Sequence, residues 1–130
     1  MQKTLEFLKK TGTYYLATVE DDQPRVRPFG TIHKYEDKLY IQTGKIKDIY
    51  SQLTINPKAE ICAFDGQTWV RIECELINDD RDEVSESLLG EYPDLRAMYT
   101  PGDDNCTVFY IKNAVATFYS FTGEPTVEKF

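Results

Sequence analysis

The chain has 130 residues, about the usual size of one domain (1–130), and its 15 Lys and Arg against 22 Asp and Glu give a formal charge of −7, which sets nucleic acid aside as a partner. A hydrophobic fraction of 41% and an aromatic fraction of 13% are ample for a packed core and exclude a disordered chain. No stretch reaches the ~18 apolar residues of a membrane span and the opening lacks a signal peptide's apolar run, so a cytoplasmic protein with no membrane contact is expected.

Residues 2–11 place Leu5 and Leu8 on one helical stripe, with Lys9 and Lys10 in the last turn and Gly12 just past it, which predicts a short opening helix. The run TYYLATVE (13–20), the turn Asp21-Asp22-Gln23 and a second run from Pro24 to Lys34 predict a hairpin. Pro28 cannot donate a ladder hydrogen bond, so the second strand lies at an edge or bulge there, with backbone free to meet a ligand. Lys38–Thr43 reads as a third strand. Lys45–Leu53 reads as a helix, with Ile46, Ile49, Tyr50 and Leu53 at helical spacing, ended by Asn56-Pro57.

Runs 59–64 and 68–77 flank Asp65-Gly66-Gln67 as a second hairpin. Asp79 or Asp80 caps a helix to about Leu89, and a short helical piece follows at 94–99, before Pro101-Gly102. Runs 107–112 and 115–122 predict two closing strands separated at Lys112-Asn113, with a polar tail from Gly123. Six or seven short strands with hairpin connections and helices in the gaps predict a mostly β, antiparallel barrel. There is no GxGxxG, which disfavours a doubly wound dinucleotide fold. Cys62, Cys74 and Cys106 are odd in number and lack paired spacing, so free thiols are expected and no metal site.

Between Arg25 and Lys47 six basic residues face two acidic ones, reversing the sign of the whole chain. Arg25 and Arg27, two apart on a strand, point to one side of the sheet. Thr43-Gly44-Lys45-Ile46-Lys47 stands where a strand passes into a helix, so free backbone donors, a hydroxyl and two ammonium groups converge at a helix start and suit a phosphate. A solvated basic face is the competing reading. His33, the only histidine, is expected to be a partly exposed strand residue rather than a catalyst. No nucleophile and base arrangement stands out, so no catalytic residue is assigned.

PRVRPFG (24–30), KLYIQTGKIKDIYSQL (38–53), NPKAEI (56–61) and FYSFTG (118–123), in that order and spacing, resemble the pyridoxamine phosphate oxidase-related flavin-binding split barrels. The length, the opening LATVEDDQPRVRPFG and the end AVATFYSFTGEP are most similar to the small branch that includes nitroimidazole-resistance reductases. The resemblance implies a six- to seven-stranded antiparallel Greek-key split β-barrel and a homodimer with flavin mononucleotide (FMN) at the subunit interface. Arg25, Val26, Arg27, Pro28 and Phe29 match the strand beside the ring and ribityl chain. Gln42, Thr43, Lys45 and Lys47 match the ribityl and phosphate end, with Lys47 the leading phosphate ligand and Gln52 reaching the same end from the helix. Trp69, Arg71, Tyr119 and Ser120 match positions that approach the flavin from the partner chain. The chain ends in EPTVEKF without the basic and histidine residues of the true pyridoxamine phosphate oxidases, so that particular reaction is not expected. A flavin-dependent reductase or oxidase of a small organic substrate is, with nitroaromatics among the candidates. The alternatives are a non-catalytic flavin-binding or sensing module and a split barrel that uses a deazaflavin or haem.

Overall fold

A computed structural model describes all residues 1–130. Three α-helices, α1 (Gln2–Thr11), α2 (Asp48–Ile55) and α3 (Asp82–Glu91), and a 3₁₀ turn at Pro93–Ala97 accompany eight strands. These are β1 (Tyr14–Glu20), β2 (Gln23–Phe29), β3 (His33–Tyr35), β4 (Lys38–Gly44), β5 (Lys58–Phe64), β6 (Thr68–Asp79), β7 (Cys106–Ser120) and β8 (Thr126–Lys129). The hydrogen-bonded order is β2-β1-β5-β6-β7-β4-β3, with β8 also on β7, and every pairing is antiparallel. No helix is long and apolar enough to cross a membrane.

The mostly β split barrel is the expected class, but the strand count is eight rather than six or seven. The expected strands 107–112 and 115–122 are joined in one, β7 (Cys106–Ser120), because Asn113 takes a positive φ of 54° and the ladder to β6 resumes beyond a register shift at Glu73/Glu75. The tail expected to be irregular supplies β8. The run 24–34 divides into β2 and β3, since Gly30 to Ile32 leave the ladder.

The sheet forks at β7, whose first half pairs β4 and whose second half pairs β8. Between β1–β2 and β4 no ladder closes the sheet. Thr31 bridges the gap instead: its carbonyl accepts from Tyr14 Oη at 2.6 Å, and its Oγ1 accepts from the Gln42 backbone N–H at 2.9 Å. Leu16, Ile61, Ile72 and Ile41 alternate inward on four strands and meet Leu5 and Leu8 of α1 and Ile49 and Leu53 of α2 in one core. Each of these buried aliphatic side chains contributes about 1.5–3 kcal/mol by leaving water. A smaller cluster of Tyr40, Val84, Leu88 and Val108 fixes α3 to β4 and β7.

The start of α3 is tied to the β3–β4 turn by Asp79. Its carboxylate accepts from Tyr40 Oη at 2.8 Å and from Arg81 Nη2 at 2.8 Å, while Arg81 Nη1 reaches Glu36 at 2.7 Å. The Arg81 guanidinium, helped by Tyr40 and opposed by burial, draws the Asp79 carboxyl down to about 2. A carboxyl whose folded pKa is depressed stabilises the fold above its unfolded value near 4, and that stabilisation is lost as pH falls toward about 2. Arg81 is 42% exposed and its attraction is screened. Asp79→Asn is therefore expected to cost about 1 kcal/mol at neutral pH and to flatten the fall of Tm between about pH 4 and 2. Calorimetry across that range checks it, and a wild-type acid limb in the variant would contradict it.

Candidate functional site

A cavity of about 1070 Å³ opens between β2, the end of β4, the first turns of α2 and the segment 91–99. It is at or above the upper end of ordinary small-molecule pockets, roughly 300–1,000 Å³. Residues 25–29 of β2, Gln42 and Thr43 of β4, Lys47 and Gln52 all line it, so distant parts of the expected site meet in one place.

Three cations border the cavity, and they differ in how they are held. Arg27 is clamped: Nη1 donates to Leu16 O at 3.2 Å and Thr18 Oγ1 at 2.8 Å, and Nη2 to Gln52 Oε1 at 2.8 Å. Burial lowers its pKa while Asp48 pulls the other way, so it stays charged. Arg25 is paired with Glu20 at 2.7 Å. Lys47, the N-cap residue of α2, makes neither an ion pair nor a side-chain hydrogen bond.

The strand-to-helix junction is less open than its sequence implies. Asn105 accepts from Lys45 N–H through its carbonyl at 2.8 Å and from Ile46 N–H through Oδ1 at 3.1 Å, and the Lys47 N–H bonds Gly44 O at 3.1 Å. Gly44 permits this close approach, since a Cβ there would meet Asn105 Oδ1 at 2.8 Å. The donors left are the N–H groups of Asp48 and Ile49, the first two residues of α2, which no bond takes. They lie at the positive end of the helix dipole, and both residues line the cavity.

Two buried polar atoms also lack partners, Gln42 Oε1 and Thr43 Oγ1, on residues 5% and 2% exposed. Leaving such groups unpaired costs about 1–3 kcal/mol each. Gln42 Nε2 is already spent on Thr43 O at 2.8 Å, so the free oxygen can only accept, whereas the Thr43 hydroxyl can donate or accept.

The other expected residues lie elsewhere. Lys45 is not on the cavity wall: its ammonium pairs with Asp80 at 3.3 Å, an interaction that raises its pKa. Trp69, Arg71, Tyr119 and Ser120 stand on β6 and β7, away from this cavity. Arg71 pairs with Glu60 at 3.1 Å. Trp69 stacks on Tyr119 with centroids 5.4 Å apart and touches Phe121 at 5.1 Å. The ladder sets Phe64, Trp69 and Tyr119 side by side, and two residues along it sets Pro28, Tyr15, Cys62 and Arg71 in a parallel row. Pro28 lines the cavity, so the aromatic face and the cavity rim are continuous.

Sequence reasoning missed the far wall, formed by Tyr92, Pro93, Asp94, Leu95, Met98 and Tyr99. The segment reads as an acidic helical piece. Only Pro93-Asp94 at a break between helices hinted that its apolar residues face something other than the core.

His33 stands outside the cavity, with Nδ1 2.5 Å from Glu91 Oε1 and Nε2 2.9 Å from Ser87 Oγ. The connectivity is that of a hydrolytic triad, but Ser87 sits inside α3, where the neighbouring N–H groups bond within the helix and leave no oxyanion donors. The cluster ties β3 to α3.

The model of the family described as pyridoxamine 5'-phosphate oxidase matches residues 1–112. Among solved structures, a NimC/NimA family protein from Clostridium acetobutylicum is 44% identical over 100% of this chain and 92% of its own, with a TM-score of 0.96. General Stress Protein 26 from Bacillus anthracis is 16% identical, covering 96% and 95% of the two chains with a TM-score of 0.74. A pyridoxamine 5'-phosphate oxidase-related, FMN-binding protein from Nostoc punctiforme is 15% identical, covering 99% and 93% with a TM-score of 0.60. No curated protein matches the chain.

Proposed function

Because the chain belongs to the pyridoxamine 5'-phosphate oxidase family and, within it, to the NimC/NimA family, we propose that it binds FMN as a homodimer and serves as an oxidoreductase for a small, flat organic substrate. The observation that carries this reading is that the residues lining one cavity include an unpaired lysine, two helix-start residues with free N–H groups and two residues with buried polar atoms that lack partners.

These residues fit the cofactor. Lys47, the Asp48 and Ile49 N–H groups and the Thr43 hydroxyl would hold a terminal phosphate, and Arg27 adds a fixed positive charge. Gln42 Oε1, an acceptor only, suits a ribityl hydroxyl or a ring N–H. Residues 26–29 would border the ring and ribityl chain, and Arg25, held only by an exposed pair with Glu20, would turn to the phosphate. A bound flavin supplies hydride and single-electron transfer in its own ring. The chain's part is to bind, orient and shield. Leu95 and Met98 give the far wall an apolar surface, and the cavity's size leaves room for a second molecule.

The dimer reading rests on the outward face. Phe64 and Phe121 are 55% and 76% exposed and form, with Trp69 and Tyr119, an aromatic surface of the kind that marks an interface. Its continuity with the cavity rim at Pro28 favours a second copy that covers both, with Trp69, Arg71, Tyr119 and Ser120 serving the neighbour's flavin.

FMN-loaded protein is expected to oxidise a reduced nicotinamide in the presence of flat acceptors, nitroaromatics among them, followed by the loss of nicotinamide absorbance. Tight FMN binding with no turnover across the panel would favour the second reading, a flavin-binding or sensing module. One observation leans that way: no histidine or cysteine lines the cavity.

A further inference from the structure

The cation end of the cavity already holds an anion of its own. Glu20, the last residue of β1, lines the cavity beside Arg25, and its Oε1 accepts from Arg25 Nε at 3.1 Å and Nη2 at 2.7 Å. The contact is made across the tight β1–β2 turn, where Asp21 has a φ of 56°. Arg25 holds the Glu20 carboxyl below its usual range, so it is charged at neutral pH. The two side chains are 45% and 50% exposed, and neither is locked by packing. Arg27 differs, since it is partly buried and its guanidinium is spent on three acceptors, Leu16 O, Thr18 Oγ1 and Gln52 Oε1. Arg25 is therefore the cation that is free to change partner.

We propose that Glu20 is a built-in competitor for the anionic end of the ligand, which occupies Arg25 when the cavity is empty and so sets how strongly the cavity prefers a phosphorylated flavin over the neutral one. The proposal rests on the flavin reading of this cavity. When a phosphate enters, Arg25 moves from the carboxylate to the phosphate, and the two Glu20–Arg25 hydrogen bonds are given up. The cost falls only on ligands that carry the phosphate.

Glu20→Gln keeps the length and a carbonyl acceptor while removing the charge. Fluorescence titrations with FMN and with riboflavin are the test. FMN is expected to bind the variant about three- to tenfold more tightly than wild type, with riboflavin unchanged within about twofold, and the gain should shrink at about 0.5 M salt. In an Arg25→Gln background the gain should largely disappear. Weaker or unchanged FMN binding by Glu20→Gln would overturn the proposal, as would an equal shift for both flavins or a full gain without Arg25. Failure of the wild type to bind FMN would overturn the flavin reading and this proposal together. A wild-type preference for FMN that ignores Glu20 would overturn this proposal alone.

Discussion

Lys47→Ala is expected to weaken FMN binding by about 1.5–3 kcal/mol, a loss of roughly ten- to hundredfold in affinity, with the fold intact. Lys47 is the one cation of the cavity with no internal partner, so its removal breaks no ion pair or side-chain hydrogen bond. Arg27→Ala would confuse the result, because it also strips partners from Thr18 and Gln52 inside the barrel. Riboflavin supplies the control: it lacks the phosphate, so its affinity should not respond to Lys47. Isothermal titration with both ligands checks the prediction. Equal losses for FMN and riboflavin would place the phosphate elsewhere.

Trp69→Glu is expected to produce a folded monomer that no longer holds flavin, with dimer dissociation shifted by more than about a hundredfold. The indole stacks on Tyr119 and touches Phe121 at the centre of the exposed aromatic face, where an ionised carboxylate would have to be desolvated. Trp69 lies on β6 outside the cavity of its own chain, so a loss of flavin in this variant would act through the neighbour. Trp69→Phe keeps an aromatic ring and should keep both the dimer and the flavin. Light scattering distinguishes the 15.1 kDa chain from twice that mass. A flavin-saturated monomer would refute the shared cleft.

The legible parts of the molecule were those governed by local periodicity. Leu5 and Leu8 marked α1, and the two runs on either side of Asp65-Gly66-Gln67 marked β5 and β6. The strand count was obscured at single residues. Asn113 in the left-handed region carries β7 through what reads as a turn, and the polar tail becomes β8 only because β7 offers it an edge. In the cavity, the spacing of Arg25 and Arg27 did predict that they share a side. It could not show that Thr18, Leu16 and Gln52 immobilise one of them while Glu20 holds the other. The resemblance put Lys47 ahead of Lys45 as the phosphate ligand, but the physical reason lies in tertiary contacts, because Asp80 and Asn105 claim the first end of the junction. Segment 92–99 escaped notice for the converse reason: its apolar residues face a cavity, which no helical or strand period encodes.

Quenching of FMN fluorescence on titration with the purified chain tests the central claim most directly. Saturable quenching at one FMN per chain, with riboflavin bound at least about tenfold more weakly, is the result expected of a cavity that seats a phosphate on Lys47 and the α2 start. Undiminished FMN fluorescence at protein concentrations of about 100 μM, or equal affinity for the two flavins, would contradict it.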